Sequence, residues 1–282
     1  MPGVGTVELA AAVASAGGLG MISATHMSPQ YLSETLDELK RSTDGAFGVN
    51  FLIPFLDPEC VRIAASKARV VEFFYGDPDS SLIEAVHKEG ALASWQAGSA
   101  DEAKDASKAG CDFIVVQGKE AGGHVRGDTG LSKLLAQILG SVEIPVLAAG
   151  GISTGKDLAQ VLKAGAAGAR IGTRFIASKE SGAHPRYVEA VINAKEGSTV
   201  LTEAFSVGWP HAHHRVLKSC VQEAKLFEGE IVGERELGGE KKPILKGSIA
   251  LPTETTTGRI EAMALYAGES VGQVRNVEMP RK

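Results

Sequence analysis

The chain has 282 residues, the length of one large α/β domain or two small ones. Hydrophobic residues are 44% and charged residues 22%, which supplies apolar material for a substantial core. The net charge of -5, with no basic block beyond the short Lys241-Lys242 and Arg281-Lys282, argues against nucleic acid as the partner. The sequence carries no basic-then-apolar leader and no run of ~18 apolar residues, so a cytoplasmic protein away from membranes is expected. Its three cysteines, Cys60, Cys111 and Cys220, are far apart and lack metal spacing, and they read as buried thiols in a reducing compartment.

In chain order, residues 1–5 form a glycine-rich opening and residues 7–16 a helix. Short apolar runs follow at 19–24, 47–52, 70–75, 91–96, 112–117, 146–149 and 169–175. Most lack strict alternation, which predicts strands buried on both faces. Between them the helix starts are signed. Ser28-Pro29, Asp57-Pro58 and Asp77-Pro78 each offer an N-cap oxygen followed by proline. Ser99 and Glu102 are spaced as a capping box. The helix ends are signed by Gly90, Gly110 and Gly165, each shortly after a lysine.

This grammar predicts a βα series with a parallel sheet and right-handed crossovers. An open doubly wound sheet and a closed barrel both fit it. The helix at 7–16 implies a strand ahead of it, which would raise the seven runs to eight, the barrel number. The expected fold class is therefore an α/β, TIM-type (β/α)8 barrel lacking its first β-strand, with an appended C-terminal lobe. Residues 1–5, without that strand, are expected to be loose. Residues 185–194 read as the last barrel helix, giving a barrel over 1–195. Residues 196–282 read as a lid or lobe on the barrel mouth, with a turn-rich stretch GEIVGERELGGEKKP and a short helix at 260–266.

Ligands of parallel α/β folds bind at the C-terminal ends of strands. The run 112–116 breaks at Gln117-Gly118 into a loop with Gly122, Gly123 and then His124, a side chain that titrates near neutrality on backbone that can approach a ligand. Two later strand ends suit a phosphate. One is Gly150-Gly151, leading to Thr154-Gly155 at a helix start; the other is Gly172-Thr173-Arg174. Arg174 would reach the phosphate or pair with a carboxylate at the rim. Glu120 would orient His124 or be a solvated loop carboxylate. Trp95, Trp209 and Tyr266 read as packing or as pocket wall. The cluster His211, His213, His214 has no cysteine or carboxylate that completes a metal set, so no metal is expected.

The segments GVGTVELAAAVASAGGLGMI, GVNF, QAGSADEA, VVQGKEAGGHVRGDTG, VLAAGGI, GARIGTRF and EAMALYAGESVG, in this order, resemble the nitronate monooxygenase family, the former 2-nitropropane dioxygenases. The resemblance implies FMN in the barrel mouth. It implies that Gly150, Gly151, Gly172 and Thr173 hold the phosphate, and that Asn50, Gln96 and Gln117 meet the ring or ribityl chain. Gly3, Gly122 and Gly123 would let backbone approach the ring, and His124 would be the active-site histidine. It would act as a base towards a neutral nitroalkane or as a cation towards nitro oxygens. The implied reaction oxidises alkyl nitronates by O2 to a carbonyl compound and nitrite, in a monomer or homodimer whose partners are small molecules. Flavin-dependent enoyl-thioester reductases share the barrel and the glycine pattern and form the alternative, with a truncated barrel of weak or no activity as the third.

Overall fold

The computed structural model describes residues 1–237 and 240–280, so Gly238-Gly239 of the turn-rich stretch and the basic pair Arg281-Lys282 lie outside the described residues. The first strands are β1 (Gly20–Ser23), β2 (Phe47–Leu52), β3 (Val70–Phe74), β4 (Leu92–Ala97) and β5 (Phe113–Gln117). A two-residue β6 (Gly123–His124), then β7 (Val146–Ala149) and β8 (Gly168–Arg170) follow. All but β6 form one seven-stranded parallel sheet in the order β1-β2-β3-β4-β5-β7-β8.

The connecting helices are α1 (Val7–Ser15), α2 (Pro29–Ser42), α3 (Pro58–Lys67), α4 (Ser80–Lys88), α5 (Ala100–Lys108), α6 (Leu131–Leu139) and α7 (Gly155–Lys163). Ser28, Asp57 and Ser99 cap α2, α3 and α5 by accepting backbone N–H bonds. The expected cap at Asp77 is corrected: Asp79 caps α4, and Asp77 instead pairs with Arg126 at 2.6 Å. The full reciprocal capping box is at Thr154 and Asp157, whereas Glu102 passes over Ser99 to accept the Gly98 N–H at 2.7 Å.

The strands are buried on both faces, as expected, but the chemistry of the two faces alternates. Val49, Phe51, Val71, Phe73, Ala93, Trp95, Ile114 and Val116 pack outward with Leu32, Leu36, Ile83 and Leu134 of the helices. The residues between them, Asn50, Glu72, Ser94, Gln96 and Gln117, are buried polar groups on the opposite face. They are few, so the runs read as wholly apolar. That polar face is concave. Arg170 on β8 hydrogen-bonds Gln96 Oε1 on β4 at 3.0 Å and pairs with Glu72 on β3. In a flat sheet those strands would stand roughly 15–19 Å apart, beyond the reach of one side chain. The sheet is therefore curled into a barrel whose interior is polar, with β1 and β8 as its edges.

Residues 1–5 form a turn, and the expectation that they are loose is not met. Val4 is wholly buried, Gly182 N–H donates to Val4 O at 3.1 Å, and Thr6 Oγ1 donates to Glu180 O at 2.6 Å.

The last expected strand ends at Arg170, because Thr173 already opens the short helix α8 (Thr173–Ile176). Beyond it come α9 (Pro185–Asn193), β9 (Thr199–Thr202), β10 (His214–Leu217), α10 (Lys218–Leu226), β11 (Ile231–Leu237), β12 (Glu240–Leu245) and β13 (Thr257–Gly258). The helix expected at 260–266 is one 3-10 turn, Ile260–Ala262. Val4, Ile176, Tyr187, Phe205, Leu217 and Ile260 share a second hydrophobic cluster. Two small antiparallel sheets, β6-β10-β9 and β12-β11-β13, complete the fold. The first joins the His124 strand of the barrel to the C-terminal lobe.

Candidate active site at the barrel mouth

His124 is positioned by backbone on both sides. β10 pairs His214 with His124 and Arg215 with Gly123. Gln117 clamps the loop: its Nε2 donates to His124 O at 2.9 Å and its Oε1 accepts the Arg126 N–H at 3.3 Å. Arg215 donates to Lys119 O at 2.8 and 3.2 Å and pairs with Glu269 at 3.0 Å. Gly122 is required by close approach, since a Cβ there would lie 2.5 Å from Gly268 N and 2.6 Å from Ala267 C.

The imidazole stands among aromatic rings. Trp209 stacks on it with centroids 4.1 Å apart and planes at 26°. Tyr75 meets it edge-on at 6.1 Å, and Tyr266 and His214 lie at 5.7 and 5.3 Å. His124 Nε2 is buried and has no hydrogen-bond partner among the described residues. Burial, and secondly the neighbouring His214, lower the His124 pKa to about 3, so the ring is neutral at neutral pH. His214 is also held neutral, burial being the main cause. Its Nε2 accepts the Phe205 N–H at 3.2 Å, which leaves the proton on Nδ1, 2.8 Å from Ala212 O.

Next to this pocket, Gly150 and Gly151 take φ of +102° and +70°. A Cβ on Gly150 would stand 3.0 Å from Ala121 N and Gly118 O, and one on Gly151 3.2 Å from Glu120 Cβ. Among the described residues no hydrogen bond takes up the backbone N–H of Gly150, Gly151, Gly172 or Thr173. Thr173 Oγ1 accepts the Gly268 N–H at 2.9 Å and keeps its own proton for a further acceptor. Ahead of α7, Asp157 Oδ2 takes the N–H groups of Ser153 and Thr154 at 3.1 and 2.9 Å. The N–H groups of Gly155 and Lys156, the first two of α7, are taken up by no hydrogen bond among the described residues.

Asn50 and Gln96 belong to the interior network, with Asn50 Nδ2 donating to Glu72 Oε1 at 2.8 Å. Gly3, at φ +73°, packs against Thr253, where a Cβ would lie 2.7 Å from Cγ2. Gly123 has φ +78° and open space at its Cα. Arg174 turns to the rim, bonding Asn276 O at 2.9 Å and Glu278 at 3.3 Å. Glu120 neither orients His124 nor hangs in solvent; its carboxylate caps α6 by accepting the Leu131 N–H at 2.9 Å. Trp95 is core, and its Nε1 donates to Gly76 O. His211 and His213 face Glu203, whereas His214 points inward. Sequence reading missed Glu72, Arg170, Tyr75 and His214. A glutamate inside the run VVEFF was the one available signal, because a buried carboxylate needs a partner.

A family model described as "Nitronate monooxygenase" matches residues 1–61 and 56–279. The "Probable nitronate monooxygenase" of Staphylococcus aureus (strain JH9) is 32% identical over 278 residues, covering 82% of this chain and 77% of its own. Among solved structures, FabK from Thermotoga maritima superposes with a TM-score of 0.80 at 30% identity, covering 99% of this chain and 86% of that one. Nitroalkane oxidase from Streptomyces ansochromogenes gives 0.79 at 29% identity, covering 99% and 90%. No helix among the described residues is long and apolar enough to cross a membrane. A curled parallel barrel with a histidine-bearing loop at its mouth is thus matched along nearly its whole length, and the chain belongs to the nitronate monooxygenase family of oxidoreductases.

Proposed function

We propose that the chain oxidises alkyl nitronates with O2 to a carbonyl compound and nitrite, using FMN at the barrel mouth. The observation that carries this reading is the buried, unpartnered Nε2 of His124 on a neutral ring beside a glycine cradle with free N–H groups. When bound, FMN supplies the electron transfer between nitronate and oxygen. The residues fit such a group. Gly150, Gly151, Gly172 and Thr173 offer backbone N–H donors to its phosphate. Gly123 leaves open space where a side chain would stand, while Gly3 and Gly122 pack closely on Thr253 and on Ala267-Gly268 and bring backbone towards its ring. Asn50 and Gln96 keep part of their amides for it, while Gln117 serves mainly to hold the His124 loop.

The low pKa of His124 favours one of its two expected roles. A base works best with a pKa near the working pH, so an imidazole held near 3 is poor at removing a carbon-bound proton. Its Nε2–H can instead donate to the oxygens of a nitronate that arrives deprotonated. The anion's charge then raises the His124 pKa and strengthens the bond. The aromatic rings around it exclude water and strengthen that contact further. The barrel, 1–195, and the lobe, 196–282, act here as one unit, since β10 holds β6. The reading suits a cytoplasmic monomer or homodimer acting on small molecules.

The test is spectroscopic first. Purified protein should show flavin bands, release FMN on heating, and couple O2 uptake to nitrite release from ethyl nitronate. Protein that stays colourless after reconstitution with FMN would remove the cofactor. Similarity to FabK is as strong as similarity to nitroalkane oxidase, which supports a second reading as an enoyl-thioester reductase. NADH oxidation with an enoyl thioester, and none of the nitronate reaction, would establish that one instead.

A further inference from the structure

We propose that residues 266–270 brace the phosphate cradle against the His124 loop, with Arg215 as the positioning residue, so that filling the cradle and fixing the histidine are coupled. This rests on the reading of His124 and of the glycine cradle given above. Gly268 lies between the two loops. Its N–H donates to Thr173 Oγ1 in the cradle at 2.9 Å, and a Cβ on it would stand 2.9 Å from Glu120 O and 3.0 Å from Gly122 N. The next two residues repeat the link. Glu269 N–H donates to Glu120 O at 2.9 Å. Ser153 Oγ, just after the Gly150-Gly151 turn, donates to the buried Ser270 Oγ at 2.6 Å. One short segment thus touches the loops after β5, β7 and β8 at once.

Arg215 carries the brace to the histidine. Its side chain is 8% exposed, and a guanidinium so buried needs partners for its charge and its N–H groups. It has one on each side. Lys119 O, in the segment that leads to His124, accepts from Nε and Nη2, and Glu269 in the brace pairs with Nη2. The Arg215 backbone pairs with Gly123, and its carbonyl accepts the Ala267 N–H at 3.3 Å. Glu269 is half-exposed, so removing the guanidinium would return that carboxylate to water rather than strand it in the core. What would be lost is the grip on Lys119 O, which no other donor reaches among the described residues. Arg215 therefore acts on His124 through the backbone of its loop.

The experiment reads amide hydrogen exchange over residues 117–126 by mass spectrometry, with inorganic phosphate as the probe and chloride at equal ionic strength as its control. Phosphate can fill the cradle but has no ring to touch the loop. In the parent, saturating phosphate should slow exchange over 117–126 by about threefold or more. In Arg215→Gln the loop should exchange about tenfold faster and no longer respond to phosphate, while exchange over α5 stays as in the parent. Arg215→Lys, with one ammonium for two acceptors, should recover part of the protection. Turnover gives the second readout: with FMN bound, Arg215→Gln should raise KM for ethyl nitronate by about tenfold and lower kcat less, because the histidine is misplaced. Should Arg215→Gln not fold, Gly268→Ala decides. Its φ of -79° suits alanine, so only the added methyl acts, pressing on Glu120 O and Gly122 N. Loop protection and FMN affinity should then fall together, each by about threefold or more. Exchange and KM that match the parent in these variants overturn the brace. So does an Arg215→Gln protein that exchanges faster over α5 to the same degree, since that marks general loosening. If the parent consumes no nitronate while phosphate slows the loop through Arg215, the oxidation reading fails and the brace stands. Normal nitronate turnover with a loop that ignores phosphate has the reverse meaning.

Discussion

Replacing Glu72 by glutamine tests the interior of the barrel directly. Its carboxylate side chain is 4% exposed, accepts from Asn50 Nδ2 at 2.8 Å and pairs with Arg170. Burial lowers the Arg170 pKa to about 10, so the guanidinium remains a cation at pH 7 and needs a counter-charge. Breaking a fully buried ion pair on one side costs about 3–5 kcal/mol. Arg170 is 29% exposed and keeps its bond to Gln96 Oε1, which moves the expectation to about 2–3 kcal/mol. Glutamine retains an oxygen for Asn50, so the change isolates the charge. At a few degrees per kcal/mol for a chain of this size, the melting temperature should fall by about 4–10 °C, read by circular dichroism. The double variant Glu72→Met with Arg170→Met should recover more than half of that loss, because no cation is left buried. A Glu72→Gln protein that melts with the parent, or a double variant that loses the sum of both single effects, would refute the reasoning.

Burial of neutral His124 makes stability depend on pH. The folded pKa, about 3, lies below the ordinary value of 6.5, so the unfolded chain binds the proton more readily. Stability from this group is therefore complete above about pH 6.5 and declines as pH falls towards 3, by on the order of 2 kcal/mol at pH 5. Urea midpoints at pH 5 and 7 should differ, and His124→Gln should shrink the difference; an equal difference in both proteins would count against the burial. Gly150→Ala should weaken FMN binding at least tenfold in a fluorescence titration, because φ of +102° and the contact with Gly118 O force the cradle to move. Equal affinities would show that the phosphate lies elsewhere. Tyr187→Phe removes a buried Oη bond of 2.5 Å to Tyr266 O and should cost about 1–3 kcal/mol in denaturant unfolding; no loss would mean that water replaces the hydroxyl.

The parallel series was legible because its signals are local. A capping oxygen before proline and a left-handed glycine after a lysine are short-range facts, and Gly90, Gly110 and Gly165 all take the positive φ they announced. The loop bearing His124 was legible for the same reason, since paired glycines mark backbone that must come close to something. The inside of the barrel was not. Glu72 and Arg170 are 98 positions apart in the chain and meet only because the sheet curls, so neither alone says more than that a charge interrupts an apolar run. Tyr75 and Trp209 carried the same ambiguity, as an aromatic residue after a strand is packing until another ring is seen to meet it. His214 was hidden by its neighbours. Among His211, His213 and His214 the sequence shows one polar cluster, while period-two alternation at the start of β10 sends His213 outward and His214 inward. What local signals fix is where the loops are. What the barrel adds is which side chains those loops and strands bring within reach, and the electrostatics of His124 follow from that second layer alone.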